Sequence, residues 1–213
     1  MAADFQLLMA GLALFAFFHI LAGITEARQK LIAIFGPMGY RAFQSLIATL
    51  ALVLIVLGYM DAPFEVLYDP PAWGQWAPAV LMPFALISLA GFSPLFSLKR
   101  YHRHPMLLGI FLFGAAHLMA NGDRASVYLF GTFGLYALVA MWLGDRKQKM
   151  ADPEAYAALA ARTSLIPFLA VLQGRAEPEN LPRTLKAIVI GLLLYGLLVF
   201  AHPYFTGVTV LPA

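Results

Sequence analysis

The sequence has no cysteine, which excludes disulfides, thiolate metal sites and cysteine nucleophiles. Charge is scarce as well: 12% of the 213 residues are Asp, Glu, Lys or Arg, while 62% are hydrophobic. Soluble domains carry about 25% charged residues. The composition therefore excludes an ordinary cytosolic domain and a disordered chain alike. Asp4 but no Lys or Arg precedes the first apolar run, and no small-residue cleavage site follows it, so a cleaved signal peptide is not expected. Also missing are a Ser-His-Asp set, paired carboxylates at membrane depth and a phosphate-binding glycine loop. Hydrolase, carboxylate proton-pump and nucleotide-driven readings are set aside accordingly.

What the chain does have is long apolar runs. Six stand out: Phe5–Ile24, Phe43–Met60, Trp76–Leu98, Pro105–Ala120, Ala125–Leu143 and Leu185–Ala201. A hydrocarbon core of about 30 Å takes roughly 20 helical residues, so these predict an all-α integral membrane protein with six transmembrane helices in a bundle. The fourth run is short and must borrow from its flanks. Thirteen of the 14 Lys and Arg fall in or beside the first, third and fifth connections, and Arg124 is the exception. Alternate loops are thus basic, which puts them in the cytoplasm and both termini outside. A nucleic-acid-binding face would gather that charge in one place, and none does. Trp73, Trp76 and Trp142 stand at the ends of spans, where an aromatic belt is expected.

The longest connection has a helix start of its own. Asp152-Pro-Glu154 offers a capping side chain, a proline at the first helical position and an acid at the positive end of the dipole. The apolar run 165–172 that follows is too short to span. An interfacial helical segment around 152–173, on the cytoplasmic membrane surface or beneath the bundle, is expected.

Without cysteine, the five histidines become the candidates for metal or cofactor chemistry. His19 lies inside the first span and His117 inside the fourth, where an ionisable group is costly and reads first as functional. Imidazole from a bundle helix is a common haem ligand. Small residues near both would let a flat macrocycle approach, though small residues also serve ordinary helix packing. The plainer alternative is that each imidazole donates one hydrogen bond to a neighbouring helix. His102 and His104, in Lys99-Arg-Tyr-His-Arg-His-Pro105, read as a solvated basic helix entrance, since a His-x-His zinc pair would need further ligands. His202 reads as a structural or interfacial residue at the outer end of the last span. Asn121-Gly-Asp123 reads as a helix end followed by a new cap, and Glu26 as a surface partner of Arg28.

The string His104-Pro-Met-Leu-Leu-Gly-Ile-Phe-Leu-Phe-Gly-Ala-Ala-His-Leu-Met-Ala-Asn-Gly-Asp-Arg-Ala-Ser126, with Leu129-Phe-Gly131 after it, resembles the core signature of the NnrU family. These are bacterial multi-span membrane proteins associated with denitrification, specifically with nitrite and nitric oxide reductase expression. His19, Asp69-Pro-Pro-Ala-Trp73, Thr163-Ser-Leu-Ile-Pro-Phe168 and His202 are similar to that family too. The resemblance covers nearly the whole chain and implies one transmembrane domain over 1–213. It also extends to the related plant 15-cis-zeta-carotene isomerase, an integral membrane protein that binds haem b. Carried over residue by residue, the haem ligands of that enzyme fall on His19 and His117. The isomerase has a cysteine three residues before its Ala-His histidine, implicated in a redox-linked ligand exchange. Gly114 stands there in this chain, which counts against that exchange and the activity tied to it.

Depth sets a geometric condition on shared ligation. At 1.5 Å per residue His19 lies about 7 Å, and His117 about 18 Å, from the inner boundary. Two axial ligands of one iron must come within about 4 Å of each other. Extending span one to Arg28 halves the gap; otherwise His117 would pair with His202 nearer the outer face.

Three functions follow as expectations. The first is a haem b protein of the bacterial inner membrane, serving denitrification by redox or nitrogen-oxide sensing or by supporting a membrane or periplasmic reductase complex. The second is a haem-dependent cis-trans isomerase of a carotenoid-like polyene, and the third a cofactor-free membrane scaffold.

Overall fold

Hydrocarbon offers the backbone no hydrogen-bond partners, so a chain this apolar must satisfy its N–H and C=O groups within helices. The computed structural model describes residues 5–210, apart from the Phe205 side chain, and no β-strand occurs among them. Asp4 and both chain ends lie outside the described residues. The helices are α1 (Gln6–Gly23), α2 (Thr25–Asp61), α3 (Ala77–Ala90), α4 (Pro105–Ala120), α5 (Arg124–Ala151), α6 (Pro153–Ala161), α7 (Leu169–Leu172) and α8 (Leu181–Thr206). Four of them, α1, α2, α5 and α8, are long and apolar enough to cross a membrane; α3 and α4 are shorter apolar helices. The chain is thus an all-helical membrane protein.

Element boundaries depart from the apolar runs in two places. α2 has 37 residues, which would measure about 55 Å if straight, well beyond one bilayer core. It is broken at Gly36, whose φ of 69° is open to glycine but strained for other residues, and Pro37 follows. The expected second span, Phe43–Met60, lies in the arm after this break. The expected third span, Trp76–Leu98, stops early because α3 ends at Ala90. Ser93 then accepts a hydrogen bond from the Leu95 N–H and Pro94 opens a separate 3-10 turn, Pro94–Phe96. The helix closes at Gly91, and Ser93, before Pro94, is extended, as the residue preceding a proline favours.

The expected helix starts are present. Asp123 accepts from the Ser126 N–H at 2.9 Å and Asp152 from the Ala155 N–H at 2.9 Å, each opening a helix. Arg28, expected to meet Glu26, instead lies over the Tyr40 ring at 5.5 Å from its centre. Residues two apart on a helix point to opposite sides, and the Tyr40 ring on the next arm of α2 offers the guanidinium a flat cation site.

Neighbouring helices run in the order α2, α1, α5, α4, α3, α8, each packed on the next. Lipid tails are as apolar as leucine, so hydrophobicity does not draw these helices together; close backbone contact and hydrogen bonds do. At Gly58 of α2 a side chain would collide with the backbone of Leu7 and Leu8, and at Gly11 of α1 a Cβ would sit 2.7 Å from the Ile55 nitrogen. Tyr59 adds a bond to Ser126 at 2.9 Å, tying α2 to α5. Outside the helices, Leu67 and Tyr68 donate their N–H groups to the Gly122 carbonyl, and Glu65 pairs with Arg124 at 3.0 Å. The loop after α2 thereby closes over the α4–α5 turn.

Gly58→Val should separate α1 from α2. Overpacking of this kind costs about 1–3 kcal/mol, to be read as a lowered unfolding midpoint in a detergent titration, while Gly131→Ala, where a Cβ meets nothing within 4 Å, should leave it unmoved.

Candidate functional site

α5 lies between α1 and α4, and the two flanking helices make little contact with each other. The result is a trough with α5 as its floor. On α5, Phe130, Phe133 and Tyr136 are spaced by three residues and cover an arc of about 120° facing it. Phe130 stacks against His117 with ring centres 4.4 Å apart, and Tyr136 meets His19 edge-on at 5.7 Å. Phe133, in the middle, touches Phe15 of α1 at 4.9 Å and Phe113 of α4 at 6.2 Å. A run of aromatic rings therefore links the two histidines.

Both imidazoles are held in the same way. Nδ1 of His19 lies 2.8 Å from the Phe15 carbonyl, and Nδ1 of His117 lies 2.9 Å from the Phe113 carbonyl, one turn back in each helix. A carbonyl only accepts, so Nδ1 carries the proton and Nε2 keeps a lone pair. Among the described residues, Nε2 of neither ring has a hydrogen-bond partner. A backbone carbonyl on Nδ1 is the usual device for orienting a histidine whose other nitrogen binds a metal. The plainer alternative, a hydrogen bond to a neighbouring helix, is not what these nitrogens do: each bonds within its own helix.

Depth is partly reconciled by helix direction. α1 runs parallel to α5, since Phe5 meets Tyr128, Phe15 meets Phe133 and Gly23 meets Leu143. α4 runs antiparallel to both, because the Asn121-Gly-Asp123 turn joins it directly to α5. Side chains lean toward the N-terminus of their own helix, so His19 and His117 lean toward each other in depth. Their contacts on α5 are six residues apart, about 9 Å. Span one is not lengthened toward Arg28, because α1 ends at Gly23 and Ile24 is extended.

The other histidines are occupied differently. His202 lies at the end of α8, where its Nδ1 is 2.7 Å from the Val208 carbonyl and 3.0 Å from the Thr206 hydroxyl. The expected solvated entrance at His102 and His104 is instead a buried polar cluster. His102 is 3% exposed. His104 Nε2 lies 2.8 Å from one Asp145 oxygen, and Arg103 lies 2.5 Å from the other. Tyr156 donates to Asp145 at 3.1 Å, and Arg103 reaches the Thr163 hydroxyl at 2.9 Å. The Arg103 N–H donates to the Ser164 carbonyl and the Phe168 N–H to the Tyr101 carbonyl. These bonds seat the segment around α6 and α7 beneath α4 and α5. One signal was available in advance: Asp145 is a lone acid beside the cations Arg146, Lys147 and Lys149 near the end of α5, and an acid there needs a partner. Among the described residues no three of His, Asp and Glu gather into a metal site.

The arrangement of α1, α4 and α5 can be set beside known proteins. The family model described as NnrU protein matches residues 7–210. The chain belongs to the NnrU family. Among curated proteins it is similar to the chloroplastic 15-cis-zeta-carotene isomerase of Zea mays, 33% identical over 112 residues. The Arabidopsis thaliana protein of the same name is 32% identical over 116 residues. These matches cover 50% and 52% of this chain, but only 30% and 31% of the two relatives. The chain thus spans less than a third of the length of either over the matched region. No solved structure matches.

In this NnrU chain Gly114 sits where α4 meets α5 most closely. A Cβ there would be 2.6 Å from the Phe130 carbonyl oxygen and 3.0 Å from the Gly134 nitrogen. No cysteine fits at that position without parting the helices.

Two outcomes follow from the buried cluster. Asp145→Ala leaves the side chains of Arg103 and His104 without their carboxylate. Breaking one member of a buried pair costs about 3–5 kcal/mol, and proteolysis between α5 and α8 should report release of the lower segment. His102 is also pH-sensitive. Burial is the main cause that pushes its pKa below the ordinary 6.5, and the nearby His104 and Arg103 charges act in the same direction, against hydrogen bonds to the backbone of Leu165 and His104. A depressed histidine binds its proton more readily when unfolded, so stability is full above pH 6.5 and falls as pH drops below it. Unfolding midpoints from pH 7.5 to about 5 should decline, and His102→Gln should flatten that decline.

Proposed function

We propose that this NnrU chain is a six-span membrane protein whose trough would hold haem b through Nε2 of His19 and of His117. The observation that carries the reading is the matched pair of imidazoles: each is fixed through Nδ1 by its own helix, and each presents a partnerless Nε2 beside the same aromatic floor. The donor chemistry therefore fits the group. With His19 and His117 holding it, haem would supply one-electron transfer.

The chain's own part is to bind and orient. The Phe15 and Phe113 carbonyls hold the two rings in the tautomer that offers Nε2. Phe130, Phe133 and Tyr136 form an apolar wall that keeps water from the trough. In this reading α3, lengthened by the 3-10 turn Gly74–Trp76, and α4 are the two further crossings. The basic loops face the cytoplasm of a bacterial inner membrane, and both termini are periplasmic. The role would be redox or nitrogen-oxide sensing, or support of a nitrite or nitric oxide reductase complex in denitrification.

A second reading, cis-trans isomerisation of a carotenoid-like polyene, is favoured by the names of the two plant relatives and by a trough walled with aromatic rings. The packing at Gly114 weighs against it, since the relative's cysteine cannot be accommodated there.

Protein purified in detergent from haem-replete cells should show a b-type absorption spectrum, oxidised and reduced, that His117→Ala abolishes and His19→Ala alters. A colourless preparation would falsify the proposal and leave the cofactor-free scaffold. Conversion of 15-cis-zeta-carotene under reducing conditions would move the assignment to the isomerase.

A further inference from the structure

The basic end of α5 changes polarity along a single face. Leu138, Met141, Trp142, Arg146 and Lys149 follow one another at steps of one, three or four residues, and with Leu165 they line an open cavity of about 490 Å³. From Leu138 to Lys149 the helix rises about 16 Å, the distance from acyl chains to headgroups within one leaflet. Trp142, at the middle, is 58% exposed and carries the Arg146 guanidinium over its ring at 5.5 Å. An amphipathic indole at the membrane interface marks the level where chain gives way to headgroup.

The charge of the cavity is settled by what is already used. Asp145 and Tyr156 also border it, but both Asp145 oxygens are taken by Arg103, His104 and Tyr156. Among the described residues neither Arg146 nor Lys149 has an ion-pair partner. Two unpaired cations thus sit at the top of an apolar wall. A soluble anion would satisfy the cations and leave the wall of Leu138, Met141 and Leu165 in contact with nothing. A zwitterionic lipid would cover the wall and set its own cation against Arg146 and Lys149.

We infer that this cavity binds an anionic phospholipid from the leaflet that meets the basic end of the bundle. Its phosphate lies between Arg146 and Lys149, and an acyl chain runs along Leu138, Met141 and Leu165. The inference is independent of any cofactor in the trough. Bound there, the lipid bridges α5 and the segment after α6, beside the contact through which Asp145 ties α5 to Tyr156 of α6.

The test uses the full-length protein in nanodiscs with Trp73→Phe and Trp76→Phe, which leaves Trp142 as the sole tryptophan of the three. Its fluorescence is compared in discs doped with dibrominated phosphatidylglycerol or dibrominated phosphatidylcholine at equal mole fraction. Two cations near the surface predict a preference of about tenfold or more for the glycerol lipid in relative association constant. Arg146→Gln with Lys149→Gln should bring that ratio close to unity, while Arg146→Lys with Lys149→Arg should keep it. Equal quenching by both lipids in the chain with its native cations overturns the proposal, and so does a preference that survives the double glutamine change. If millimolar inorganic phosphate removes the preference, the site belongs to a soluble anion and the lipid assignment fails. Circular dichroism of each variant separates loss of the site from loss of the fold.

Discussion

Helices in hydrocarbon gain nothing by hiding leucine from leucine, so those of this chain meet where small residues let two backbones touch. The contact of α4 with α5 at Gly114 is the one on which the rest of the site depends. It holds α4 flat against one side of α5 while α1 takes the other side, and the trough between them is what remains. Any side chain at 114 would widen one contact and tilt His117 away from Phe130. Gly114, by remaining without a side chain, is therefore the residue that shapes the trough.

Within the trough, orientation comes from the helices themselves. An imidazole that bonds the carbonyl one turn back needs no neighbour to fix it, and it leans toward its own N-terminus. Because α1 and α4 run in opposite directions, two identical local arrangements produce converging side chains. Phe133 fills the space between Phe15 and Phe113, so the floor is continuous and apolar. A polar side chain at 133 would interrupt the apolar floor between the two imidazoles.

The basic end is built on a different principle. There the chain leaves the hydrocarbon, and a single carboxylate, Asp145, gathers Arg103, His104 and Tyr156 from two other elements. Such a cluster costs desolvation, but each donor in it has an acceptor, and losing one member would strand the others. It fixes α6 and α7 under the bundle and leaves Arg146 and Lys149 facing outward. Structural and lipid-facing charge thus adjoin on one face of α5.

Much of this was legible in the amino-acid sequence. Long apolar runs reveal a membrane chain, because no soluble core needs so many consecutive hydrophobic residues. Asp123 and Asp152 announce helix starts through their own local hydrogen bonds. His19 and His117 stand out because an ionisable group at membrane depth needs a reason, and Gly114 could be singled out by resemblance alone. Local chemistry also misled: Lys99 to Pro105 looks like a solvated basic stretch until Asp145, some 40 residues away by numbering, is brought against it. Likewise the third span was expected to run on to Leu98, and α3 stops at Ala90, with a separate turn at Pro94–Phe96. Only the tertiary structure could decide that α5 separates α1 from α4, that the two histidines lean toward one floor, and that Arg103 and His104 are buried. Those facts depend on which helix backbones can approach and in which direction each runs, and composition and periodicity carry no record of either.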